Sequence, residues 1–407
     1  MITIPNWLEQ LGAIWEQPLF LVGGLVRNWL LDIEYGDIDI ASKLMPDEVF
    51  VLLEKNNAYK VIPKKPELGT VEIHFYLDGK TYIAEHTTFR SEVYFEDGSH
   101  NPKAIAFSKS LEEDAFRRDF TVNAIYINVL TKELLDPTGG LRDLENGVLR
   151  ATSPNPEIIL KDDALRILRL VRFAAMLDFS IEKKTLAAAQ KFAPNLKDIS
   201  AERKQKELIG LLLCDMHIYK RLQKDNVLLK GLNLLKEMGA WEFVLPLEAF
   251  NEKNIERAST FAPDLTLRFA ALLPTKELFE KALGSKGLKL YGVLKELKKM
   301  HSLKEQSKEK IEVFLPALAL APKDIAKKAA ILFGGETKTA LERIEHTHAP
   351  RSYSQLALTS QEIIQITGAK GREIGEIQRA LFAFVVLEPM ENTKEILKQR
   401  LSIGKIL

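Results

Sequence analysis

The chain has 407 residues, of which 46% are apolar and 28% charged, with a net charge of +1 and a single cysteine, Cys214. That composition suits a globular protein of two to four compact units and excludes a global basic field, an intramolecular disulfide and a cysteine-built zinc cluster. No apolar run is long enough to span a bilayer, and the opening MITIPNWLEQLGAIWEQ lacks the basic and apolar regions of a secretory signal, so a reducing, cytoplasmic setting without a membrane is expected.

Up to about residue 155 short β-rich runs alternate with turns. PLFLV reads as a strand, Gly23-Gly24 as a tight turn and LVRNWLLD as a helix that follows directly. Glycine there lets backbone approach a ligand, the helix start offers free N–H groups, and Arg27 adds a charge-assisted contact, all of which suit a phosphate. A plain strand-to-helix turn explains the same residues, and the GxGxxG of dinucleotide sites is absent. In GDIDIAS, Asp37 and Asp39 stand at i and i+2 of a strand and so share a face, while Ile38 and Ile40 turn to the core. Neighbouring carboxylates raise one another's pKa, and Mg²⁺ with substrate phosphates would relieve that. The alternative is a solvated edge strand.

VEIHFYLDGKTYIAE is a hairpin turning at Asp78-Gly79. Glu85, on its second strand, is either a third carboxylate of the site, as ligand or general base, or one polar residue on a wet face. In RRDFTVNAIY, Arg117 and Arg118 precede a helix or strand start, and Asp119 is expected to orient one of them; the plain alternative is a surface ion pair. DPTGGLRDL reads as structural, a glycine turn with Asp136 and Asp143 as local hydrogen-bond acceptors.

Beyond residue 155 nearly everything has helical period. In DDALRILRLVRFAAML the charged residues Asp163, Arg166, Arg169 and Arg172 recur every third position and predict one ridge on an otherwise apolar helix. Arginine rather than lysine suits bidentate recognition and stacking. In AERKQKE, Arg203 and Glu207 are i,i+4 partners and read as a brace for that helix, with ordinary surface pairing as the alternative. Residues 276–310 hold ten lysines against five acidic residues, a local surface for RNA phosphates or a solvated helical face. In GAKGREIG the glycines would let backbone approach RNA, or simply join two helices. Cys214 and His217 read as core, and GGETKTA is not a P-loop.

LVGGLVRN…GDIDIA, RRDFTVNAIY, DPTGGLRDL, DDALRILRLVRF and AERKQKE, in this order, resemble the class II tRNA nucleotidyltransferases, the CCA-adding enzymes and bacterial poly(A) polymerases of the polymerase-β superfamily. The motifs cover about half of the chain, and the C-terminal stretch also looks like the family's tail. One departure is Asn28, where the family usually carries aspartate. The resemblance implies an α/β head (polymerase-β-like, a mixed sheet with helices) over 1–150, then an all-α neck (151–210), body (211–310) and tail (311–407), the tail binding tRNA.

It further implies an Mg²⁺-dependent enzyme, monomer or homodimer, that adds C, C and A to the tRNA 3′ end from CTP and ATP. Asp37 and Asp39 would bridge two metal ions, with Glu85 beside them. Gly23, Gly24, Arg27 and Arg118 would hold the triphosphate. Asp163 and Arg166 would read the base, with Arg169 and Arg172 on the same ridge. Cytosine and adenine share an amino donor beside a ring-nitrogen acceptor, which a carboxylate and a guanidinium complement; guanine and uracil reverse that pattern. A poly(A) polymerase, a CC-only or A-only enzyme, and a non-catalytic RNA-binding relative are the alternatives. The segment 91–112, polar and containing glycine, is expected to move between C and A addition; the resemblance disfavours a CC-only enzyme, because this region is not shortened.

Overall fold

A computed structural model describes residues 4–33, 36–93, 104–218, 226–245, 247, 251–273, 290–306 and 311–403. The chain divides into two compact units, Met1–Phe250 and Asn251–Leu407. The expected boundaries at 150 and 210 fall inside the first unit, and that at 310 inside the second.

The first unit is built on a mixed seven-stranded sheet. Its strands are β1 (Phe20–Leu21), β2 (Asp39–Ser42), β3 (Tyr59–Lys65), β4 (Thr70–Leu77), β5 (Lys80–Thr88), β8 (Tyr126–Asn128) and β9 (Leu134–Leu135), with β6 (Arg90–Val93) and β7 (Ala104–Phe107) forming a separate two-stranded ribbon. The order is β3-β4-β5-β2-β1-β8-β9, antiparallel except for the β2–β5 pair, where Asp39 lies opposite Glu85. The β4–β5 hairpin turns where expected: Asp78 and Gly79 have φ of 50° and 73°, the left-handed pair that a two-residue turn requires.

Alternation along the strands sorts the two faces. Ala84 and His86 of β5 are buried on one face, against which helix Asn6–Ile14 lays Trp7 over Phe75 and Tyr82, with Trp15 tilted against His86. On the other side Phe20, Val22, Ala41, Phe89, Ala124 and Tyr126 form a core cluster beneath the site. The ribbon β6–β7 shows that the ends of the 91–112 segment are paired; Asp97-Gly98, at its centre, lie outside the described residues.

The helices Leu165–Leu177, Ala201–Leu212 and Val227–Glu237 pack on one another and complete the first unit. Cys214 is buried, as expected, whereas the His217 side chain lies outside the described residues. The second unit is helical from Glu252 to Ser402 in its described parts. Its lysine-rich stretch 276–310 is described only over 290–306. In the tail, Gly368 and Gly371 take positive φ on either side of Lys370, between helices Ser360–Thr367 and Arg372–Leu387. Among the described residues no helix is long and apolar enough to cross a membrane.

Candidate active site

The turn after β1 brings the first motif together. Gly23 has φ of 77°, and a Cβ there would stand 3.0 Å from Asp39 Oδ2. Gly23 is therefore demanded twice over, by backbone and by the carboxylate beside it. Gly24 opens helix Gly24–Leu30, and its nearest neighbour is the Arg27 guanidinium. Arg27 is buried. It donates to Asn123 Oδ1 (2.5 Å) and, through two nitrogens, to Asn28 Oδ1 (3.1 and 2.8 Å). These partners are neutral carboxamides. Burial lowers the Arg27 guanidinium to about 9, with Asp119 opposing the shift and Arg172 and Arg169 adding to it. An anionic ligand would relieve that crowding of positive charge.

The carboxylates show the opposite imbalance. Asp39 is half-buried at the start of β2, Asp37 is exposed just before it, and Glu85 is exposed on the neighbouring strand. Burial pushes the Asp39 carboxyl up to about 6; Arg118 opposes this, and the Glu85 and Asp37 carboxylates add to it. Among the described residues no three acidic, imidazole or thiol side chains converge to cage a metal by themselves. A pair of oxygen donors that repel each other and leave most of a coordination shell open fits a hard cation completed by substrate phosphate and water.

Behind the pair, Asp114 anchors both arginines of RRDFTVNAIY. It is fully buried within helix Leu111–Phe116. Its Oδ1 accepts from Arg117 (2.8 Å) and its Oδ2 from Arg118 (2.9 Å) and Tyr126 (2.7 Å). Burial alone would raise this carboxyl, but Arg118, Arg117 and the Tyr126 hydroxyl hold it at about 2. Asp119, expected to orient one of those arginines, instead accepts from Arg169 Nε (2.7 Å) and Asn123 Nδ2 (3.0 Å). Asp136 and Asp143 are local acceptors as expected: Asp136 takes the Gly140 and Leu141 amides, and Asp143 the Thr121 hydroxyl and Arg150. A Cβ on Gly140 would fall 2.1 Å from the Thr121 carbonyl, so the glycine lets this turn dock.

The expected ridge is broken at its start. Asp163 is not on helix Leu165–Leu177 but precedes it; its Oδ1 takes the Leu165 amide (3.1 Å) and its Oδ2 pairs with Arg203 (2.8 Å). Arg166 is buried and donates to the Ile159 and Arg117 carbonyls, at 3.2 and 2.9 Å. Glu207, expected to pair with Arg203, accepts from Arg172 (2.7 Å) and lies 3.8 Å from Arg169. The brace runs between helices rather than along one. The Phe173 ring carries three guanidiniums, Arg172 at 4.4 Å, Arg27 at 4.8 Å and Arg169 at 5.2 Å from its centroid.

One cavity of about 510 Å³ gathers Gly23, Gly24, Arg27, Asp37, Asp39, Arg118, Asp163, Arg166, Arg169 and Arg172. Glu85 does not line it, but borders an adjoining cavity together with Asp39. Sequence reasoning missed Asp114, Asn123, Tyr126 and Phe173 as supports of this cavity. Their apolar or helical surroundings resemble ordinary core, and only the RRD arginines hinted that a buried acid must exist nearby.

Residues 19–150 match the family of the Poly A polymerase head domain, and residues 178–249 that described as "Probable RNA and SrmB- binding site of polymerase A". The CCA-adding enzyme of Streptococcus sanguinis is 34% identical over 80% of this chain and 75% of its own length. That of Enterococcus faecalis is 37% identical, and there the match spans about half of each protein, 52% of this chain and 51% of the relative. The crystal structure of the Bacillus stearothermophilus CCA-adding enzyme in complex with CTP matches with a TM-score of 0.74 at 25% identity, covering 98% of both chains.

Proposed function

The chain belongs to the CCA-adding enzyme family, and from that premise we propose that it is a template-independent tRNA nucleotidyltransferase, adding C, C and A to the tRNA 3′ end from CTP and ATP with release of pyrophosphate. The observation that carries the reading is the cavity of about 510 Å³ that sets two carboxylates opposite a bank of arginines.

A buried, carboxamide-bonded Arg27 together with Arg118, Arg169 and Arg172 would hold the triphosphate at fixed positions, so its charge is met without reorganisation during reaction. Asp37 and Asp39 would hold divalent metal, Mg²⁺, whose chemistry when bound would be to acidify the attacking hydroxyl and offset charge on the leaving group. The 3′ oxygen forms its bond to the α-phosphorus as the bond from that phosphorus to the β-bridging oxygen breaks. Pyrophosphate leaves with the electron pair, and Glu85, exposed on the strand beside Asp39, would take the hydroxyl proton. Asp163 and Arg166 would read the amino donor and ring-nitrogen acceptor shared by C and A, so that side chains replace a template. We further propose the division into head 1–150, neck 151–210, body 211–310 and a tRNA-binding tail 311–407. A tRNA substrate and one buried cysteine agree with a cytoplasmic site of action.

The test is incubation of the purified protein with tRNAs lacking all, two or one of the terminal residues, each nucleotide being supplied separately. CMP, CMP and AMP in turn is the expected result. Long AMP tails on any RNA would make it a poly(A) polymerase, a stop after two residues a CC-adding enzyme, and no incorporation a binding protein.

A further inference from the structure

Asp39 faces two chambers. On one side is the cavity just described. On the other lies a cavity of about 540 Å³ whose walls include Lys64, Lys65, Arg90 and Lys206, with Asp39 and Glu85 at its border. Lys64 and Lys65 come from the end of β3, Arg90 from the start of β6, and Lys206 from helix Ala201–Leu212. Three separate elements thus converge basic side chains on the far side of the carboxylates. Lys64 is paired with Glu72 at 2.7 Å, but Lys65 and Lys206 are exposed and have no ion-pair partner among the described residues. Arg117 and Arg118, shared by both cavities, both hold Asp114, and Arg90 donates to the Leu68 carbonyl, so the exposed cations of this chamber without an ion-pair partner among the described residues are Lys65 and Lys206.

In-line displacement at phosphorus needs the attacking and leaving oxygens on opposite sides of the transferred group. With the triphosphate among Arg27, Arg169 and Arg172, and Arg118 where the two cavities adjoin, pyrophosphate leaves on that side, and the attacking hydroxyl must arrive from across Asp39. We infer that the second chamber holds the last phosphodiesters of the RNA acceptor strand, with Lys65 and Lys206 as phosphate-positioning residues that deliver the 3′ hydroxyl to Asp39. The inference rests on the nucleotidyl-transfer reading. Lysine contacts to phosphate carry no sequence information, which suits a strand whose terminal base changes at every step.

The experiment uses the full-length double variant Lys65→Gln and Lys206→Gln; both side chains are exposed, so the fold is kept. Its probes are an acceptor-stem RNA hairpin with a single-stranded 3′ overhang ending in CC and the same hairpin without the overhang. Without nucleotide, the variant is expected to bind the overhanging RNA about tenfold more weakly, with the slope of log affinity against log salt smaller by about 1 to 2, and the blunt RNA unchanged. In single-residue incorporation the KM for that RNA rises while the KM for ATP stays within about twofold. Equal loss on both RNAs, a raised KM for ATP with unchanged RNA binding, or no change at all would each overturn the assignment. A wild-type protein that binds the overhang through these lysines but incorporates nothing would overturn the enzymatic reading alone.

Discussion

At the scale of single residues, the site is a balance of groups that are each under-compensated. Asp39 wants a cation and Arg27 an anion, and a metal-bound triphosphate supplies both. Asp37→Ala or Asp39→Ala should therefore lower CMP and AMP incorporation alike by roughly 10³-fold, about 4 kcal/mol of transition-state stabilisation, with tRNA binding largely intact. Single-turnover incorporation beside a filter-binding isotherm measures both; near-normal turnover in either variant removes the metal role. Asp163 carries a second prediction. Its oxygens already take the Leu165 amide and Arg203, so it is held in one orientation before any base arrives. Asp163→Asn keeps the acceptor, adds a donor and loses the charge that repels the carbonyl of U or G. CTP and ATP efficiency should fall by more than about tenfold, and measurable UTP or GTP incorporation should appear. Arg203→Ala, which only releases Asp163, should lose rate without changing base choice. If Asp163 and Arg166 read the base as a unit, the double variant will be strongly non-additive; an unchanged base preference in Asp163→Asn would reduce Asp163 to a holder of its neighbours.

At the scale of elements, local pattern was legible wherever the controlling interaction was local. Asp78-Gly79 announced its hairpin because positive φ at two adjacent residues is a property of those residues alone. Asp37 and Asp39 line one cavity, although only Asp39 lies on β2 and Asp37 stands just before it. The pairing of Arg203 with Glu207 was misread because i,i+4 neighbours choose each other only on a free helix face. This helix packs on Leu165–Leu177, which offers Glu207 two half-buried arginines, while Asp163, just before that helix, offers Arg203 a carboxylate 40 positions away. Asp114 was invisible because its third partner, Tyr126, comes from a different element. The packing of β5 also hides a titrating group. His86 is fully buried, its Nε2 against Ser42 Oγ at 2.9 Å, its Nδ1 without a hydrogen-bond partner and its ring against Trp15. Burial lowers its pKa from 6.5 to about 3, with Asp114 opposing. The unfolded chain therefore binds a proton between those values that the native chain refuses, so stability is full above about 6.5 and falls as pH drops toward 3, by up to about 1.4 kcal/mol per pH unit. His86→Asn, which cannot take that proton, should show a shallower loss between pH 6.5 and 5 in denaturant titrations. An identical slope in both proteins would place the acid sensitivity elsewhere.

At the scale of the whole molecule, the change from β-rich to helical sequence near residue 155 falls inside one compact unit, Met1–Phe250. The compact units meet at 250/251. Composition reports what each segment is made of, whereas division depends on which faces are buried together. Here the helical segment is tied to the sheet by Arg169 on Asp119, Arg166 on the Arg117 carbonyl and the Phe120–Phe173 ring contact, so both sides of residue 155 share one interior. The cavity around Asp39 that would take the nucleotide lies entirely within Met1–Phe250. A ligand stabilises only the cooperative unit that binds it, by about 2.7 kcal/mol at a hundredfold excess over Kd. Two transitions are therefore expected in calorimetry of the full chain, and CTP with Mg²⁺ should raise the midpoint of one by a few degrees while leaving the other in place. The unit that shifts should be the one followed by Trp7, Trp15, Trp29 and Trp241, since all four tryptophans of the chain lie before residue 251. Fluorescence should thus report the shifted transition and miss the other. A single transition that moves as a whole would mean that the two units unfold together; two transitions with the CTP shift in the one silent to tryptophan would move nucleotide binding out of the cavity around Asp39.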